Sequence, residues 1–172
     1  MNIKICLVLS LFICSSSAAF LPFIYKQNDS KWRNTFIGFG SKTIGDDGSL
    51  LVSFASIAAG EGIFYKGWLF NPNTMNDWLK DNKGFVQDDQ IVMDSLTPLG
   101  FEYVGISSNI KEITRALLDG KVMIAKLKEG YYAPVVGMMT GVFVVMDPTQ
   151  RGGNFMYPFD KVVNVAIYKW NP

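Results

Sequence analysis

The chemistry open to this chain is limited first by its lack of histidine and by the position of its two cysteines. Histidine is absent from all 172 residues, and the two cysteines, Cys6 and Cys14, both lie in an apolar N-terminal stretch. A thiol–imidazole mechanism needs both groups side by side, so this chemistry is excluded. The acidic pairs at 46–47 and 88–89 match no cation-binding loop. We therefore expect no metal and no other cofactor.

The N-terminal stretch has the pattern of a secretory signal peptide over residues 1–19. Lys4 supplies a positive start, residues 5–13 an apolar run, and residues 15–19 the small side chains typical of a cleavage region. We expect cleavage before Phe20 and a single domain over residues 20–172, secreted or delivered to another extracytoplasmic compartment. The apolar run is shorter than the ~20 residues that a membrane span needs, and no later run is long enough.

The charge balance of the remaining chain argues against nucleic acid as a partner. Without Lys4 it carries 15 basic and 15 acidic residues, with no basic tail or run. About 153 residues suffice for one domain with a sizeable core, which needs no disulfide to be stable. The aromatic content of 14% favours dense packing and aromatic side chains at the surface.

The apolar periodicity predicts an α+β fold, with helices first and an antiparallel sheet last. A buried helix is expected over residues 49–59, with Ser49 as its N-cap and Gly60 at its end. Further helices are predicted from Asn71 onward, over residues 88–96 and over residues 109–118. Strand patterns cover residues 101–104, 122–127, 132–138, 142–146 and 162–168.

Three segments, taken in order, resemble a known family of enzymes. Residues 25–32 read Tyr-Lys-Gln-Asn-Asp-Ser-Lys-Trp, and residues 43–49 read Thr-Ile-Gly-Asp-Asp-Gly-Ser. Residues 131–137 read Tyr-Tyr-Ala-Pro-Val-Val-Gly and are followed by Asp147-Pro148. Together they are similar to the papain-like peptidases of the bacteriocin-processing (double-glycine leader) type. This resemblance implies a papain-like fold, with N-terminal helices packed on a C-terminal antiparallel sheet.

The resemblance also implies positions for a catalytic site. In that family a cysteine at a helix N-terminus is the nucleophile, a histidine is its base, and an aspartate orients the histidine. These positions correspond here to Ser49, Tyr131 and Asp147, and Gln27 is a candidate for the glutamine beside the oxyanion. A phenol with an ordinary pKa of ~10 is a poor base at neutral pH. The resemblance therefore implies a catalytically degenerate member.

We expect this protein to be a pseudopeptidase that binds a peptide or protein ligand through its degenerate cleft. The residues expected to contact the ligand are Ser49, Tyr131, Tyr132 and Trp32. Aromatic side chains are enriched at binding surfaces because they bury a large area at low entropic cost.

Two other functions stay open on the sequence. The first is an active hydrolase in which Ser49 is the nucleophile and Lys42, Lys126 or Lys128 lies buried beside it as the base. The alternation of Lys126 and Lys128 instead favours the solvent-facing side of a strand. The second is a structural or assembly subunit of an extracellular complex, which could be an oligomer.

Each candidate residue also has a purely structural interpretation. Tyr131 has the position of an aromatic residue at a strand end, and Asp147 before Pro148 has that of a turn start. The four tryptophans (Trp32, Trp68, Trp78 and Trp170) are expected to anchor the core or its rim.

Overall fold

The computed structural model describes residues 22–149 and 155–172. The predicted signal peptide at residues 1–19 lies outside the described residues. Helices and a six-stranded antiparallel sheet make up the described chain, so the α+β prediction is confirmed. In these two ranges no helix is both long and apolar enough to cross a membrane.

Most of the helical elements precede the sheet. The helices are α1 (Ile44–Asp47), α2 (Ser49–Gly60), α3 (Pro72–Asp81) and α4 (Ile110–Leu118). The strands are β1 (Phe64–Tyr65), β2 (Trp68–Leu69), β3 (Phe101–Ser107), β4 (Val122–Leu127), β5 (Tyr132–Met139), β6 (Val142–Val145), β7 (Met156–Pro158) and β8 (Val162–Trp170). Strands β1 and β2 form a separate hairpin, and the other strands form the sheet.

The large sheet has the strand order β3-β8-β4-β5-β6-β7, and every described pair in it is antiparallel. Strand β4 runs beside the whole first half of β5, with Lys126 opposite Tyr132. Strand β6 accompanies β5 only as far as Val145 opposite Val135, followed by one bond from the Met146 N–H to the Pro134 carbonyl at 2.9 Å. The first residues of β5 therefore extend beyond the end of β6.

Both faces of the sheet are covered, each by its own core. The larger core lies between the sheet and the N-terminal helices and includes Leu51, Phe54, Leu79, Ile124 and Tyr168. The smaller core lies between the opposite face and α4 and includes Ile113, Met123, Ala125 and Val165. Because successive residues of a strand point to opposite faces, the near-continuous apolar sequence of β4 fits burial on both sides.

Helix α2 begins differently from the prediction. Ser49 is its first residue, Gly48 occupies the N-cap position, and no side chain caps it. Thr43 and Asp46 instead form a capping box one turn earlier, at the start of α1. The backbone of Gly48 is near-helical, with φ −83° and ψ 8°, so α1 leads directly into α2. The prediction that Ser49 is an N-cap was wrong, and its hydroxyl is available for another contact.

Two further elements differ from the sequence prediction. Residues 88–96 do not form an α-helix; short 3₁₀ helices cover Gln87–Asp89 and Met93–Leu99. Asp89 has a positive φ of 55°, which interrupts a right-handed helix, and Pro98 disfavours its continuation.

The hairpin β1–β2 was not predicted. Its two-residue turn, Lys66-Gly67, has positive φ at both positions, as a type I′ turn requires.

The four tryptophans do not share one environment. Trp32 and Trp78 are buried core residues, and Trp170 is half-buried and stacks on Phe101 with ring centroids 4.4 Å apart. Trp68, on β2, is 70% exposed. The expectation of a core or rim role is wrong for this residue.

We expect Gly48→Ala to destabilise the protein. A Cβ atom at this position would lie 2.4 Å from the Ile44 carbonyl oxygen and 2.7 Å from the Ile44 Cα, which are backbone atoms that cannot move aside freely. Overpacking of this kind costs about 1–3 kcal/mol in the free energy of unfolding, more than alanine gains in helix propensity. Urea unfolding followed by circular dichroism measures the difference.

Gly137→Ala is the matched control for this prediction. The nearest atom to its added Cβ is 3.8 Å away, an ordinary van der Waals contact. If both variants unfold at the same urea concentration, the close contact with Ile44 does not destabilise Gly48→Ala, and the prediction is wrong.

Candidate functional site

The first turn of α2 lies against the start of β5, and Ser49 makes the contact. The Ser49 Oγ accepts a hydrogen bond from the Tyr132 backbone N–H at 3.1 Å. Ser49 is only 3% exposed. The helix N-terminus with the predicted nucleophile position therefore contacts the strand that directly follows the predicted base position, Tyr131. The serine oxygen is engaged by the backbone.

A second serine completes this contact one helical turn later. The Ser53 hydroxyl lies 2.8 Å from the Ser49 carbonyl oxygen and 3.2 Å from the Tyr132 carbonyl oxygen, so its proton is shared between two acceptors. Tyr132 precedes Pro134 by two residues, and both present their backbone polar groups to the same side of β5. That is the side where β6 has ended. The hydroxyls of Ser49 and Ser53 thus bond to the N–H and C=O of Tyr132 in place of a neighbouring strand.

Tyr131 and Tyr132 are consecutive residues at this end of β5, and both are half-buried. The Tyr131 carbonyl accepts a hydrogen bond from the Leu127 N–H at 2.7 Å, which closes the β4–β5 turn. The Tyr132 ring packs against the larger core, and the Lys126 ammonium lies 5.7 Å from its centroid. The peptide bond that the Ser49 hydroxyl contacts is therefore the one that joins these two tyrosines.

Asp147 follows β6 and is 3% exposed. Its Oδ1 accepts hydrogen bonds from the backbone N–H and the hydroxyl of Thr149, both at 2.8 Å. Its Oδ2 accepts a hydrogen bond from the Tyr157 hydroxyl at 2.6 Å. The first two bonds form a turn, as the structural interpretation predicted, and the third joins that turn to β7.

The pKa of Tyr157 is raised above its ordinary value, firstly by burial and secondly by its hydrogen bond to the Asp147 carboxylate. Its proton is therefore held firmly on the phenol oxygen, where it donates to Asp147. Tyr157 is therefore the hydrogen-bond donor to Oδ2 of Asp147, the residue at the predicted orienter position.

Gln27 connects the two sides of the candidate site and is 3% exposed. Its side-chain Nε2 donates to the Gly45 carbonyl at 3.0 Å, in the helical turn before Ser49. Its backbone N–H donates to the Pro148 carbonyl at 2.8 Å, next to Asp147. The Oε1 atom is buried and has no hydrogen-bond partner among the described residues. Gln27 therefore joins the segments that carry Ser49 and Asp147.

Trp32, the last of the predicted binding residues, is 7% exposed. Its indole N–H donates to the Lys26 carbonyl at 2.7 Å, and its ring meets Tyr25 edge-on with centroids 5.5 Å apart. Both the polar and the apolar parts of this side chain are used inside the fold. Of the four predicted binding residues, Tyr131 and Tyr132 are the two with substantial exposed surface.

The three candidate lysine bases have different surroundings. Lys42 pairs with Asp47 at 2.7 Å on the surface, and Lys128 is exposed. Lys126 is partly buried over the Tyr132 ring, so the solvent-facing role predicted for it is incomplete. Within residues 22–149 and 155–172, no group of three or more acidic, cysteine or histidine side chains is placed to hold a metal ion.

Comparison of the chain with protein-family models, with curated proteins and with solved structures found no match. The papain-like resemblance therefore stays a prediction drawn from the three sequence segments.

Sequence reasoning did not identify Ser53 or Tyr157, which hold Tyr132 and Asp147 in place. The spacing of Ser49 and Ser53 was the available signal for the first, because residues four apart lie on one face of a helix. No local signal marks Tyr157, which reaches Asp147 through the pairing of β6 with β7.

We expect Ser49→Ala to lower the free energy of unfolding by about 1–2 kcal/mol. Alanine leaves the Tyr132 N–H without its acceptor in a partly buried place, and an unsatisfied donor costs about this much. Ser53→Ala is the control and should cost less, because the two carbonyl oxygens it leaves have further lone pairs. If both variants lose the same unfolding free energy, the Ser49–Tyr132 hydrogen bond contributes no more to stability than the bonds of Ser53.

We expect the free energy of unfolding to fall as the pH rises above about 10, because two tyrosines keep their protons in the fold but lose them in the unfolded chain. Burial raises the pKa of Tyr168 and of Tyr157, so both keep their protons in the fold. Their contribution is complete below the unfolded pKa of ~10 and is lost as the pH rises above it, because the unfolded chain ionises first. Unfolding curves from pH 8 to pH 11 measure this loss.

Tyr157→Phe isolates the part of the alkaline loss that comes from the Asp147 contact. We expect the unfolding free energy to fall less steeply with pH. The loss between pH 8 and pH 11 should be smaller by up to about 1 kcal/mol for this half-buried group. The value at neutral pH should also fall, because Asp147 Oδ2 loses its donor. An unchanged slope would contradict the account of Tyr157.

Proposed function

We propose that this protein is a catalytically inactive peptidase-like protein that binds a peptide or protein segment at the Ser49–β5 junction. The observation that carries the proposal is the hydrogen bond from the Tyr132 N–H to the hydroxyl of Ser49, a residue that is 3% exposed. A nucleophile must be able to approach an incoming carbonyl carbon. This hydroxyl is covered and already holds a strand in place.

The other two candidate catalytic positions support the same interpretation. The base position holds Tyr131, and the chain contains no histidine to replace it. Both oxygens of Asp147 accept hydrogen bonds, from Thr149 and Tyr157, within the β6–β7 region. Side chains that would act on a substrate in a working enzyme act here on the protein's own backbone and turns.

The binding part of the proposal depends on Tyr131 and Tyr132. Both are only partly buried, the Tyr132 backbone contacts the buried Ser49, and a cation lies over the Tyr132 ring. Tyr132 lies where β5 extends beyond β6, and its backbone N–H and C=O are already bonded to Ser49 and Ser53. The side chains, rather than the backbone, are therefore left for a ligand. An extended peptide could pack on the tyrosines, and the Lys126 ammonium favours acidic groups in it.

A hydrolase is the second candidate, and the position of Lys126 is the observation in its favour. Lys126 lies on the same face of the sheet as Tyr132, whose N–H bonds to Ser49. If Lys126 first released its own proton to solvent and then moved from the tyrosine ring to the Ser49 hydroxyl, its neutral amine could accept the serine proton. Ser49 would also have to release the Tyr132 N–H.

The test uses residues 20–172, which include every described residue, and a diverse peptide pool. Mass spectrometry of the pool measures cleavage, and retention on the immobilised protein measures binding. We expect no cleavage, and retention of a subset of peptides that weakens at least about fivefold in Tyr131→Ser, because an aromatic contact is lost. Phe39→Ser, which alters a 79% exposed aromatic residue away from β5, should leave retention unchanged.

Each other outcome contradicts the proposal. Cleavage that disappears in both Ser49→Ala and Lys126→Ala would establish the hydrolase. Absence of both cleavage and retention would exclude cleft binding and leave an assembly role, for which the oligomeric state is the next measurement.

A further inference from the structure

Four side chains on one face of the large sheet form a row that crosses four strands. Asn164 of β8 is directly opposite Lys126 of β4, and Lys126 is directly opposite Tyr132 of β5. Ile106 of β3 is opposite Ala166, two residues along β8 from Asn164, so Ile106 is the diagonal neighbour of Asn164. Residues directly opposite each other, or two apart on one strand, point to the same face. We call Ile106, Asn164, Lys126 and Tyr132 the open strip.

The open strip lies on the face that the N-terminal helices pack against. Ala166 and Ile124, which are paired on this face, are fully buried in the larger core. The members of the strip are covered less: Ile106 is 52% exposed, and the other three are half-buried. Within the part of the chain that the structure describes, the helical layer therefore stops at the strip and leaves it accessible to a ligand.

The strip is continuous with the site described above, because Tyr132 belongs to both. The backbone N–H of Tyr132 bonds to the Ser49 hydroxyl at 3.1 Å, and its ring is the β5 end of the strip. Adjacent strands lie about 4.8 Å apart, so the three steps from β5 to β3 span about 14 Å. The surface at the Ser49–β5 junction thus extends across the sheet as far as Ile106.

The chemical character of the strip changes along its length. Lys126 carries a positive charge over the Tyr132 ring, with 5.7 Å between the ammonium and the centroid, and the ion pairs among the described residues do not include it. The Asn164 amide can both donate and accept hydrogen bonds, as a peptide group does. Ile106 offers apolar surface. A complementary ligand therefore presents a carboxylate at the Lys126 end and an apolar side chain at the Ile106 end.

The separation of Lys126 and Ile106 limits how far apart the two ligand groups are. Their strands, β4 and β3, have β8 between them, so they are about 10 Å apart. An extended peptide advances about 3.3 Å per residue. An acidic and an apolar residue two to four positions apart can therefore reach both, whereas a small carboxylic acid would reach the cation alone.

We propose that the open strip selects acidic peptide segments in which a carboxylate residue and a large apolar residue are two to four positions apart. This inference rests on the proposed function, because the strip shares Tyr132 with the Ser49–β5 junction. The ligand carboxylate pairs with Lys126 over the tyrosine ring. A peptide group of the ligand hydrogen-bonds to the Asn164 amide, and the apolar side chain packs on Ile106.

The experiment measures by mass spectrometry how two synthetic peptide sets are retained on immobilised residues 20–172. Both sets are acetylated and amidated hexapeptides of serine and glycine with one leucine. The first set carries a glutamate two to four positions from the leucine, and the second carries a glutamine there. We expect the wild type to retain the glutamate set at least about threefold more strongly, because Lys126 is partly buried. Added salt should lower this ratio.

Variants of the strip test its two ends separately. Lys126→Met should remove the preference for glutamate, and Lys126→Glu should reverse it in favour of a third set with lysine at that position. Ile106→Ser should weaken retention of the first two sets at least about threefold without changing their ratio, since an apolar contact is lost. Val104→Ser is the matched control, because it alters a 58% exposed apolar residue of the same strand outside the strip, and it should change neither quantity.

The results distinguish failure of this inference from failure of the proposed function. If Tyr131→Ser weakens retention of the diverse pool but Lys126→Met and Ile106→Ser do not, the junction binds peptides and the open strip does not select them. Equal retention of the glutamate and glutamine sets by the wild type, or retention of pool peptides but of neither set, also overturns this inference alone. If the wild type retains no peptide from the sets or the pool, both proposals are overturned.

Discussion

The hydrogen bond between the Tyr132 N–H and the Ser49 hydroxyl is the interaction on which the arrangement of this protein most depends. It joins the N-terminal helical layer to the sheet at the one end of β5 that β6 does not accompany. Ser53 adds a donor for the carbonyl of the same residue. Backbone groups near a core must find partners, and here a helix supplies them to a strand through side chains. The same position cannot easily supply a free nucleophile.

The proposed pseudopeptidase function depends on this double use of one position. Serine fits where a small polar side chain is required, and its oxygen is a better acceptor for an N–H than a thiol sulfur. Tyr157 likewise gives the Asp147 carboxylate a donor within its own sheet. Ser49 and Asp147 thereby have hydrogen-bond partners without a reactive pair, whereas the Gln27 Oε1 atom beside them has none among the described residues.

The sequence predicted the parts of the fold that have strong periodicity. Strand β4 and helix α4 lie within a residue or so of their predicted ranges, because an apolar run and an amphipathic pattern with an asparagine cap leave few alternatives. Residues 88–96 were misjudged, since their polarity pattern does not reveal the positive φ of Asp89. In the site, the pairing of Ser49 with Tyr132 joins residues 83 positions apart, and only the register of the sheet decides it.

The position of β8 has a consequence for how the chain is made. It is the last described strand, yet it lies between β3 and β4 and pairs with both along most of its length. During synthesis from the N-terminus, β3 cannot join the sheet until its partner β8, at Val162–Trp170, has emerged. Such non-local pairing slows folding and leaves a strand edge uncovered meanwhile. The native sheet therefore cannot close before the last described strand has been made, so its formation comes late in synthesis.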